Sequence, residues 1–340
     1  MTSEKEIEFM PKVELHVHLE GAISPRTYYS LANKNQIELP CNNLADWEKY
    51  FQFKNFQHFI DVYGLAVSTI KKVEDFSLLI EKFFQYQENN NIIYSEVFLS
   101  ASFIIQNFDN QEILEAIEFG IKQGEKKYSS RIKLIPDISR HLPKTQAKVL
   151  ELTIEGYKKG LFVGLGLGGM EVNYPPKLFA ETFLKAKKSG LRVVAHAGEA
   201  VGPESIWGAI NELNAERIGH GIRSLDDDKL IRFLAESQIP IEVSPTSNYH
   251  LGIVKNAENH PIRKMVDNGL LCTINTDDPE MFSTTLSKEY KMLCLQGFSL
   301  EELYQLNKNA IDSSFLENNE KTILHQSLDN YRINKNMQGH

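Results

Sequence analysis

Short apolar runs alternate with longer amphipathic stretches along most of the chain. Eight runs rich in β-branched residues are typical of buried strands, and they lie near 12–19, 91–99, 131–138, 161–168, 191–196, 216–221, 240–246 and 270–276. Helical spacing follows them, as in QEILEAIEFGIKQGEKKY and PPKLFAETFLKAKKSG. This alternation predicts parallel strands with right-handed crossovers. Eight such units favour an α/β fold of the (β/α)8 TIM-barrel type, although periodicity alone leaves a doubly wound open sheet as an alternative.

One interval departs from this rhythm. Residues 25–87 separate the first two predicted strands and contain aromatic helical segments, among them DWEKYFQFKNFQHFIDVYGLAV. In a barrel this insertion would lie above the catalytic face. It could be a helical lid that excludes water from a small ligand, or a peripheral bundle that packs its aromatic side chains as ordinary core. After Ser287 the pattern is helical to the end, so we expect one barrel domain over 1–340 with C-terminal helices.

The composition is that of a globular protein with a large core. Hydrophobic residues make up 42% of the 340 positions, and α/β barrels of this length commonly form one unit. The net charge of −8 argues against nonspecific nucleic-acid binding, which needs a basic surface. The N-terminal segment has no signal-peptide core, and no apolar run approaches membrane-spanning length. Cys41, Cys272 and Cys294 are too scattered for a disulfide framework. We therefore expect a cytoplasmic protein, and the sequence favours no particular oligomeric state.

Four predicted strands end in residues that bind metals or transfer protons. The segments are VELHVHLEG with His16 and His18, VVAHAGE with His196 and Glu199, RIGHG with His220, and CTINTDDP with Asp277 and Asp278. The chain has only ten histidines, so their concentration at strand ends is a strong signal. Because the carboxyl ends of barrel strands meet on one face, these side chains would converge there.

The spacing of four of these residues predicts a metal site. His16 and His18 are two apart on a strand, so both point to the same face, here the barrel interior. His196 ends the fifth strand, and Asp277 ends the eighth, which neighbours the first strand in a closed barrel. Three imidazoles and one carboxylate suit Zn²⁺ and leave a position open for water. We therefore expect one zinc ion per chain.

The remaining residues predict acid–base chemistry. His220 could orient or deprotonate the attacking water, although a buried histidine that bonds a backbone carbonyl would give the same pattern. Glu199 lies on the loop after His196, where partial desolvation could keep its carboxyl protonated as a general acid. Asp278 adjoins Asp277, and because adjacent side chains diverge, a substrate contact or support of the ligands fits it better than metal ligation.

In order and spacing, the motifs VELHVHLEGAI, HAGE, RIGHG, PTSN and NTDDP resemble the adenosine deaminase family of the amidohydrolase superfamily. The resemblance extends from Pro11 to about Tyr290. It implies zinc-dependent hydrolysis of a 6-aminopurine nucleoside, chiefly adenosine or 2′-deoxyadenosine, to inosine or 2′-deoxyinosine and ammonia. It also implies that the zinc ligands are His16, His18, His196 and Asp277.

The resemblance assigns the other roles as well. Glu199 would protonate purine N1 while a zinc-activated water attacks C6, and His220 would position and deprotonate that water. Asp278 would hold N7 and the attacking oxygen. The backbone N–H of Gly169, in GLGLGGME, would meet N3, and His18 would contact the substrate in addition to the metal.

Two positions depart from the adenosine-selective pattern. Glu20 stands where such members often carry an aspartate that meets the ribose 5′-hydroxyl, so its role as a substrate contact is open. Met170 stands in place of an acid in the AGDE pattern. Related branches of the family act on free adenine or on 5′-modified adenosines such as 6-aminodeoxyfutalosine, which are therefore alternative substrates.

Other interpretations of the motifs fit less well. Gly164, Gly166 and Gly169 match the dinucleotide fingerprint G-x-G-x-x-G, but the next strand ends in AHAGE instead of a ribose-binding acid. The C-x-x-C motif of the cytidine-type zinc deaminases is absent, and glycines end the fourth strand where binuclear amidohydrolases carry a lysine. A proton-abstracting or phosphate-releasing metalloenzyme would not need Glu199. A non-catalytic binding barrel would be expected to lack a ligand or the acid, and none is missing.

Overall fold

The computed structural model describes residues 3–256 and 259–338, and its centre is an eight-stranded parallel sheet. The strands follow one another around the sheet in sequence order. They are β1 (Lys12–His18), β2 (Ile92–Leu99), β3 (Arg131–Ser139), β4 (Gly164–Gly168), β5 (Arg192–Ala197), β6 (Arg217–His220), β7 (Ile241–Val243) and β8 (Cys272–Ile274). Each of the eight predicted strands is confirmed, with bounds that differ by a few residues.

The segment after β8 closes the sheet onto β1. Val17 and Asp277 form a parallel bridge. The backbone N–H of His18 donates to the carbonyl of Asp277 at 2.8 Å, and the N–H of Asp277 donates to the carbonyl of His16 at 3.1 Å. These bonds confirm the (β/α)8 barrel over the open sheet, and they bring Asp277 beside the two histidines of β1.

Helices surround the barrel. They are α1 (Ser3–Phe9), α2 (Pro25–Asn35), α3 (Leu44–Phe51), α4 (Phe56–Ser68), α5 (Val73–Asn89), α6 (Ala101–Ile104), α7 (Asn110–Lys127), α8 (Gln146–Lys158), α9 (Ala180–Lys188), α10 (Pro203–Leu213), α11 (Asp228–Ser237), α12 (Pro245–His250), α13 (Ile262–Asp267), α14 (Leu286–Leu295), α15 (Leu300–Ser313) and α16 (Asn318–Gln338). The insertion between β1 and β2 and the C-terminal helices are both confirmed. The assignment of 1–340 to one domain stays a prediction. No helix in the described part of the chain has the length and apolar character needed to cross a bilayer.

Local sequence signals begin several of these helices. Ser24 caps α2 by accepting a hydrogen bond from Thr27, and proline occupies the first helical position after it. Ser299 and Glu302 form a reciprocal capping box at the start of α15. Asn55 caps α4, the helix that contributes most to the cover of the active-site face. The helical insertion therefore has start signals in its own sequence.

A bulge in β1 sets the direction of its side chains. The register against β2 shifts between Glu14 and Val17, and the N–H groups of Leu15 and His16 both donate to Asn275 Oδ1, at 2.9 and 3.0 Å. As a result Glu14 bonds the hydroxyl of Tyr86 on α5, although strict alternation would place it on the same face as His16. The bulge lets His16 point into the barrel while Glu14 anchors the strand to the helix layer.

Side chains fill the barrel interior below the active-site face. A small core cluster there consists of Phe98, Ile135, Val194 and Phe315. Phe315 comes from the connection between α15 and α16, and its ring lies 3.7 Å from the guanidinium carbon of Arg217 at the start of β6. The C-terminal segment thus closes the amino end of the barrel, opposite the face that carries the predicted catalytic residues.

Candidate metal centre and active site

The carboxyl ends of the strands bring the four predicted metal ligands together. His18 Nε2 lies 3.2 Å from His196 Nε2 and 3.4 Å from Asp277 Oδ1. His16 Nε2 lies 3.6 Å from the same carboxylate oxygen. Donor atoms held at about 2.0–2.1 Å in a tetrahedron around zinc would be about 3.3–3.4 Å apart. The observed separations fit a cation of that size.

One ring nitrogen that faces this cluster has no other partner. His16 Nε2 is buried and accepts or donates no hydrogen bond within the described part of the chain. Burial lowers the pKa of His18 to about 4 and that of His196 well below its usual value, so both rings are neutral and ready to ligate. Burial acts in the same direction on His16, but Asp277 and Glu242 outweigh it and raise its pKa to about 9. The carboxylates therefore favour a positive charge at this place.

Neighbouring groups orient two of the histidine rings from behind. His16 Nδ1 lies 2.8 Å from Glu242 Oε2, and His196 Nδ1 lies 2.9 Å from the carbonyl of Leu167. Because both partners accept, each Nδ1 carries a proton and each Nε2 faces the cluster. At His16 a bound cation would replace the Nε2 proton that the raised pKa favours. Sequence reasoning missed Glu242, although a charged residue inside the apolar strand IEV was a usable signal.

Asp277 is held in an unusual backbone conformation. Its φ is 65°, in the left-handed region that residues other than glycine rarely adopt. Ser247 donates a hydrogen bond of 2.6 Å to Asp277 Oδ2, which leaves Oδ1 to face the histidines. His220 has a φ of 61°, so two predicted site residues carry backbone strain of the kind that collects at functional sites. Ser247 belongs to the PTSN motif, but its role was not predicted.

A directed chain of hydrogen bonds fixes the tautomer of His220. The backbone N–H of Ile262 must donate, so His260 Nδ1 accepts it at 3.2 Å and the proton of His260 lies on Nε2. That proton bonds Asn248 Oδ1 at 3.2 Å, which leaves the Asn248 amide N–H to donate to His220 Nδ1 at 3.3 Å. Burial lowers the pKa of both histidines to about 3, so they are neutral.

His220 therefore carries its proton on Nε2. The alternative in which a backbone carbonyl satisfies this ring does not apply, because its partner is Asn248. In this tautomer Nε2 donates a hydrogen bond and has no lone pair for a metal. His220 also lies within metal-binding distance of His16, His196 and Asp277, but the direction of the chain gives it a different role. Sequence reasoning missed Asn248 and His260.

Glu199 lies at the edge of the cluster on the loop after β5. Its Oε2 is 3.8 Å from His220 Nε2, and its Oε1 is buried without a hydrogen-bond partner among the residues that the structure describes. Burial raises the pKa of Glu199 to about 8, so the carboxyl is protonated at neutral pH and can act as an acid. Glu171 fixes the loop by accepting backbone N–H bonds from Gly198, Ala200 and Val201. Met170 stands where the family pattern has an acid, and the acidic side chain that holds this loop is its neighbour Glu171.

Asp278 occupies the opposite wall. Burial, with help from Asp277, raises its pKa well above the usual value, and no group in residues 3–256 or 259–338 forms a hydrogen bond with its Oδ1. A Cβ on Gly21 would come within 1.8 Å of that oxygen, so the glycine of the HLEG motif is the residue that leaves room for this carboxyl. The arrangement directs a protonated carboxyl into the site.

Glu20 is buried, and the protein engages both of its carboxyl oxygens. It is 2% exposed, its Oε1 accepts the N–H of Ser100 at 3.1 Å, and its Oε2 accepts the hydroxyl of Tyr63 at 3.3 Å. Tyr63 also shares a hydrogen bond of 2.6 Å with Ser100 Oγ. Burial raises the pKa of Glu20 to about 7. Both oxygens of Glu20 thus take part in contacts that hold the helical insertion against the barrel.

A cavity of about 90 Å³ joins these groups. Its walls include the catalytic candidates and the insertion, and Gly169 lies on its rim with a φ of 77°. The lining residues are His18, Phe59, Ile60, Tyr63, Ser100, Phe103, Asp137, Ser139, His141, Gly169, His196, Glu199, His220, Leu251, Asp277 and Asp278. Phe59 stacks on Phe282 at a centroid distance of 5.5 Å. Helix α4 is therefore both a cover of the cavity and a packed element.

The chain is similar to known deaminases over most of its length. The family described as adenosine deaminase matches residues 11–331. An adenine deaminase of Marinomonas sp. (strain MWYL1) is 35% identical over 320 residues, which are 92% of this chain and 94% of that protein. An aminodeoxyfutalosine deaminase of Streptomyces avermitilis is 36% identical over 330 residues, 95% of this chain and 91% of that protein. The crystal structure of adenine deaminase from Arthrobacter aurescens superimposes with a TM-score of 0.89 at 27% identity, covering 95% and 99% of the two chains.

Proposed function

This chain belongs to the adenosine deaminase family, and on that premise we propose that it removes the 6-amino group of free adenine by hydrolysis, giving hypoxanthine and ammonia. It is a hydrolase of the purine amino group. The observation that carries the choice of substrate is the position of Glu20, which Ser100 and Tyr63 hold in a buried place outside the residues that line the cavity. A ribose hydroxyl in the cavity would have to displace these contacts to reach it. The prediction of adenosine as the main substrate is not confirmed.

Sequence similarity also supports the free base. Relatives named adenine deaminase match nearly the whole chain, as does a solved structure of that name. A free purine base needs contacts at its ring edges only, which the carboxyl ends of the strands supply.

We propose that one zinc ion per chain is held by His16, His18 and His196 through Nε2 and by Asp277 through Oδ1. The unpartnered ring nitrogen of His16 and the donor separations support this choice. When bound, the cation lowers the pKa of a water molecule towards about 7 and so supplies the nucleophile at neutral pH.

The residues of this chain then direct the attack. The protonated Glu199 donates to N1, which draws electron density from C6. His220 holds the attacking oxygen from Nε2–H, and the protonated Asp278 donates to N7, so the base is fixed at both edges. Gly169 would meet N3 through its backbone N–H. Of the two water protons, one leaves with ammonia and the other restores Glu199, while hypoxanthine keeps the proton on N1.

A second candidate substrate is aminodeoxyfutalosine. The aminodeoxyfutalosine deaminase of Streptomyces avermitilis is 36% identical to this chain over 330 residues. This substrate is larger than adenine, so the cavity would have to widen to admit it, and α4 forms part of the wall through Tyr63 and Phe59. The two candidates therefore differ in what they require of the insertion.

The test is ultraviolet-monitored turnover of the zinc-loaded protein on adenine, adenosine, 2′-deoxyadenosine and 6-aminodeoxyfutalosine. We expect adenine to have the highest kcat/KM. A higher value for 6-aminodeoxyfutalosine would establish the second candidate. Fast adenosine turnover with slow adenine turnover would contradict the proposal and show that Glu20 is released to bind ribose.

A further inference from the structure

Asp137 is a buried carboxyl on the cavity wall that the proposed chemistry does not use. It lies on β3 and is 4% exposed, and its side chain lines the cavity with Ser139. Within residues 3–256 and 259–338, Oδ1 has no hydrogen-bond partner. A buried carboxyl without a partner costs stability. A group in this state at a ligand cavity is expected to meet its partner on the ligand.

The neighbouring strand is shaped to leave room for this carboxyl. A Cβ on Gly168 would lie 2.6 Å from Asp137 Oδ2, and a Cβ on Gly166 would lie 3.0 Å from Asp137 Cβ. A side chain at position 168 would therefore displace the Asp137 carboxyl, and one at position 166 would press on both Asp137 and Phe98. Gly166 and Gly168 thus have a local reason in the space that Asp137 occupies.

The order of groups around the barrel mouth indicates which purine atom faces Asp137. In the proposed complex, Glu199 after β5 meets N1, Gly169 after β4 meets N3, and Asp278 after β8 meets N7. Around the purine, the edge atoms follow the order N1, N3, N9, N7. The strands at the mouth follow the order β5, β4, then β3 to β1, then β8. The N9 edge therefore faces the arc from β3 to β1.

Two carboxyls lie on that arc, and their surroundings differ. Glu20, after β1, is bonded at both oxygens by Ser100 and Tyr63. Asp137 retains an oxygen without a partner and lines the cavity itself. We propose that Asp137 accepts the N9–H of a free purine base and so selects the base over its nucleosides. This inference rests on the proposed function.

The contact suits a base and not a nucleoside for a chemical reason. Free adenine has a proton on N9, whereas a nucleoside carries its sugar at that atom and has no donor there. Burial, together with Glu20, raises the pKa of Asp137 well above its usual value. Either form of the carboxyl keeps an oxygen that accepts N9–H. A nucleoside would leave the buried Asp137 carboxyl without a hydrogen-bond partner, and this cost would disfavour nucleosides relative to the free base.

The test compares adenine with 9-methyladenine, which lacks the N9–H, in the zinc-loaded protein and in the variants Asp137→Ala and Asp137→Asn. We expect the unmodified protein to prefer adenine in kcat/KM by about 10²-fold. Asp137→Ala should lower kcat/KM for adenine by about that factor and leave 9-methyladenine within about threefold. Asp137→Asn keeps an acceptor oxygen and should recover part of the preference. Calorimetric dissociation constants should show the same pattern, so that Asp137→Ala weakens hypoxanthine binding and leaves 9-methylhypoxanthine binding nearly unchanged.

Asp61→Asn is the matched control, because it makes the same change from carboxyl to amide on the exposed face of α4. Equal loss for both substrates in Asp137→Ala, or equal turnover of the two by the unmodified protein, would overturn the inference and leave adenine deamination standing. Failure of the unmodified protein to deaminate adenine would instead refute the proposed function. If Asp137→Ala does not fold, Asp137→Asn and the dissociation constants decide the question.

Discussion

Several site residues use two polar atoms, one that faces the cluster and one that a neighbouring group holds from behind. His16 illustrates this, since Nδ1 is bonded to Glu242 while Nε2 faces Asp277. Glu242 in turn forms an ion pair with Arg217 at 2.6 Å. A histidine ligand whose second ring nitrogen is hydrogen-bonded has one tautomer and one ring orientation. Its metal-binding nitrogen is therefore already in position before the metal binds.

The first prediction concerns metal retention. His16→Ala removes a proposed ligand, and we expect the purified variant to contain no stoichiometric zinc. Glu242→Gln keeps a hydrogen-bond acceptor but loses the charge, and it should weaken zinc affinity by about 10- to 100-fold. Chelator competition measures both. Glu118→Gln, on the outer face of α7, is the control. Unchanged zinc affinity in Glu242→Gln would show that the contact only supports packing.

The second prediction concerns the general acid. Glu199→Gln should keep zinc and lower kcat by several orders of magnitude, because the amide has no acidic proton for N1. Burial raises the pKa of this carboxyl, so the acid form persists at higher pH than for a free glutamate. As pH rises above the pKa of Glu199 the carboxyl loses its proton, so kcat/KM should fall by about tenfold per pH unit. Near-normal turnover in Glu199→Gln would rule out the role.

The third prediction concerns the tautomer of His220. Asn248→Asp replaces the amide donor with a carboxylate that only accepts, so the proton of His220 should move to Nδ1. Nitrogen chemical shifts of ¹⁵N-labelled histidine report this change directly. We expect turnover to fall by about 10²-fold, since Nε2 no longer donates to the attacking oxygen. Loss of turnover with Nε2 still protonated would mean that Asn248 acts in another way.

At the scale of elements, the insertion after β1 joins two functions. Helix α4 places Phe59, Ile60 and Tyr63 on the cavity wall, and Tyr63 closes over Glu20. The same helix is packed, because Phe59 contacts Phe53 and Phe282 at centroid distances of 5.3 and 5.5 Å. The insertion is therefore both a cover and part of the core. Phe53, Phe59 and Phe282 form an aromatic cluster, and Phe59 of this cluster also lines the cavity.

The fourth prediction separates these contributions. Phe59→Ala removes a ring from both the aromatic cluster and the cavity wall. We therefore expect KM for adenine to rise by at least tenfold with a smaller change in kcat. The free energy of unfolding should fall by about 2–4 kcal/mol. Steady-state kinetics and urea unfolding of the same preparation provide the two values. A loss of stability with unchanged KM would mean that α4 is only a packing element.

At the scale of the whole molecule, the two ends of the barrel are connected through its interior. Phe315 closes the amino end and lies over Arg217, while the Phe315 N–H donates to Glu96. Arg217 then pairs with Glu96 and with Glu242, the partner of His16. The C-terminal connection is therefore joined to the proposed metal centre by charged side chains that are buried in the barrel.

The fifth prediction tests this closure. Phe315→Ala should lower the free energy of unfolding by about 3 kcal/mol, because it opens a cavity among the buried charges. Guanidinium denaturation measures the change. Phe119→Ala is the matched control, since that ring is 59% exposed and its loss should cost less than about 0.5 kcal/mol. Equal effects of the two substitutions would show that Phe315 does not close the barrel.

The sequence by itself determined the strands, their parallel order and the candidate residues of the active-site face. It could do so because buried parallel strands are continuous apolar runs, and because His16, His196 and Asp277 interrupt those runs where they end. A polar residue at such a position is visible without knowledge of its neighbours. The family motifs added roles for Glu199 and Asp278 in the same way.

Only the tertiary structure decided which polar atoms meet and which remain free. Glu20 and Asp137 are both carboxyls near strand ends, yet one is bonded by Ser100 and Tyr63 and the other has an unpartnered oxygen. The direction of the chain from Ile262 through Asn248 likewise depends on residues far from His220 in sequence. Hydrogen bonding and burial are set by contacts between distant strands, so no local pattern encodes them.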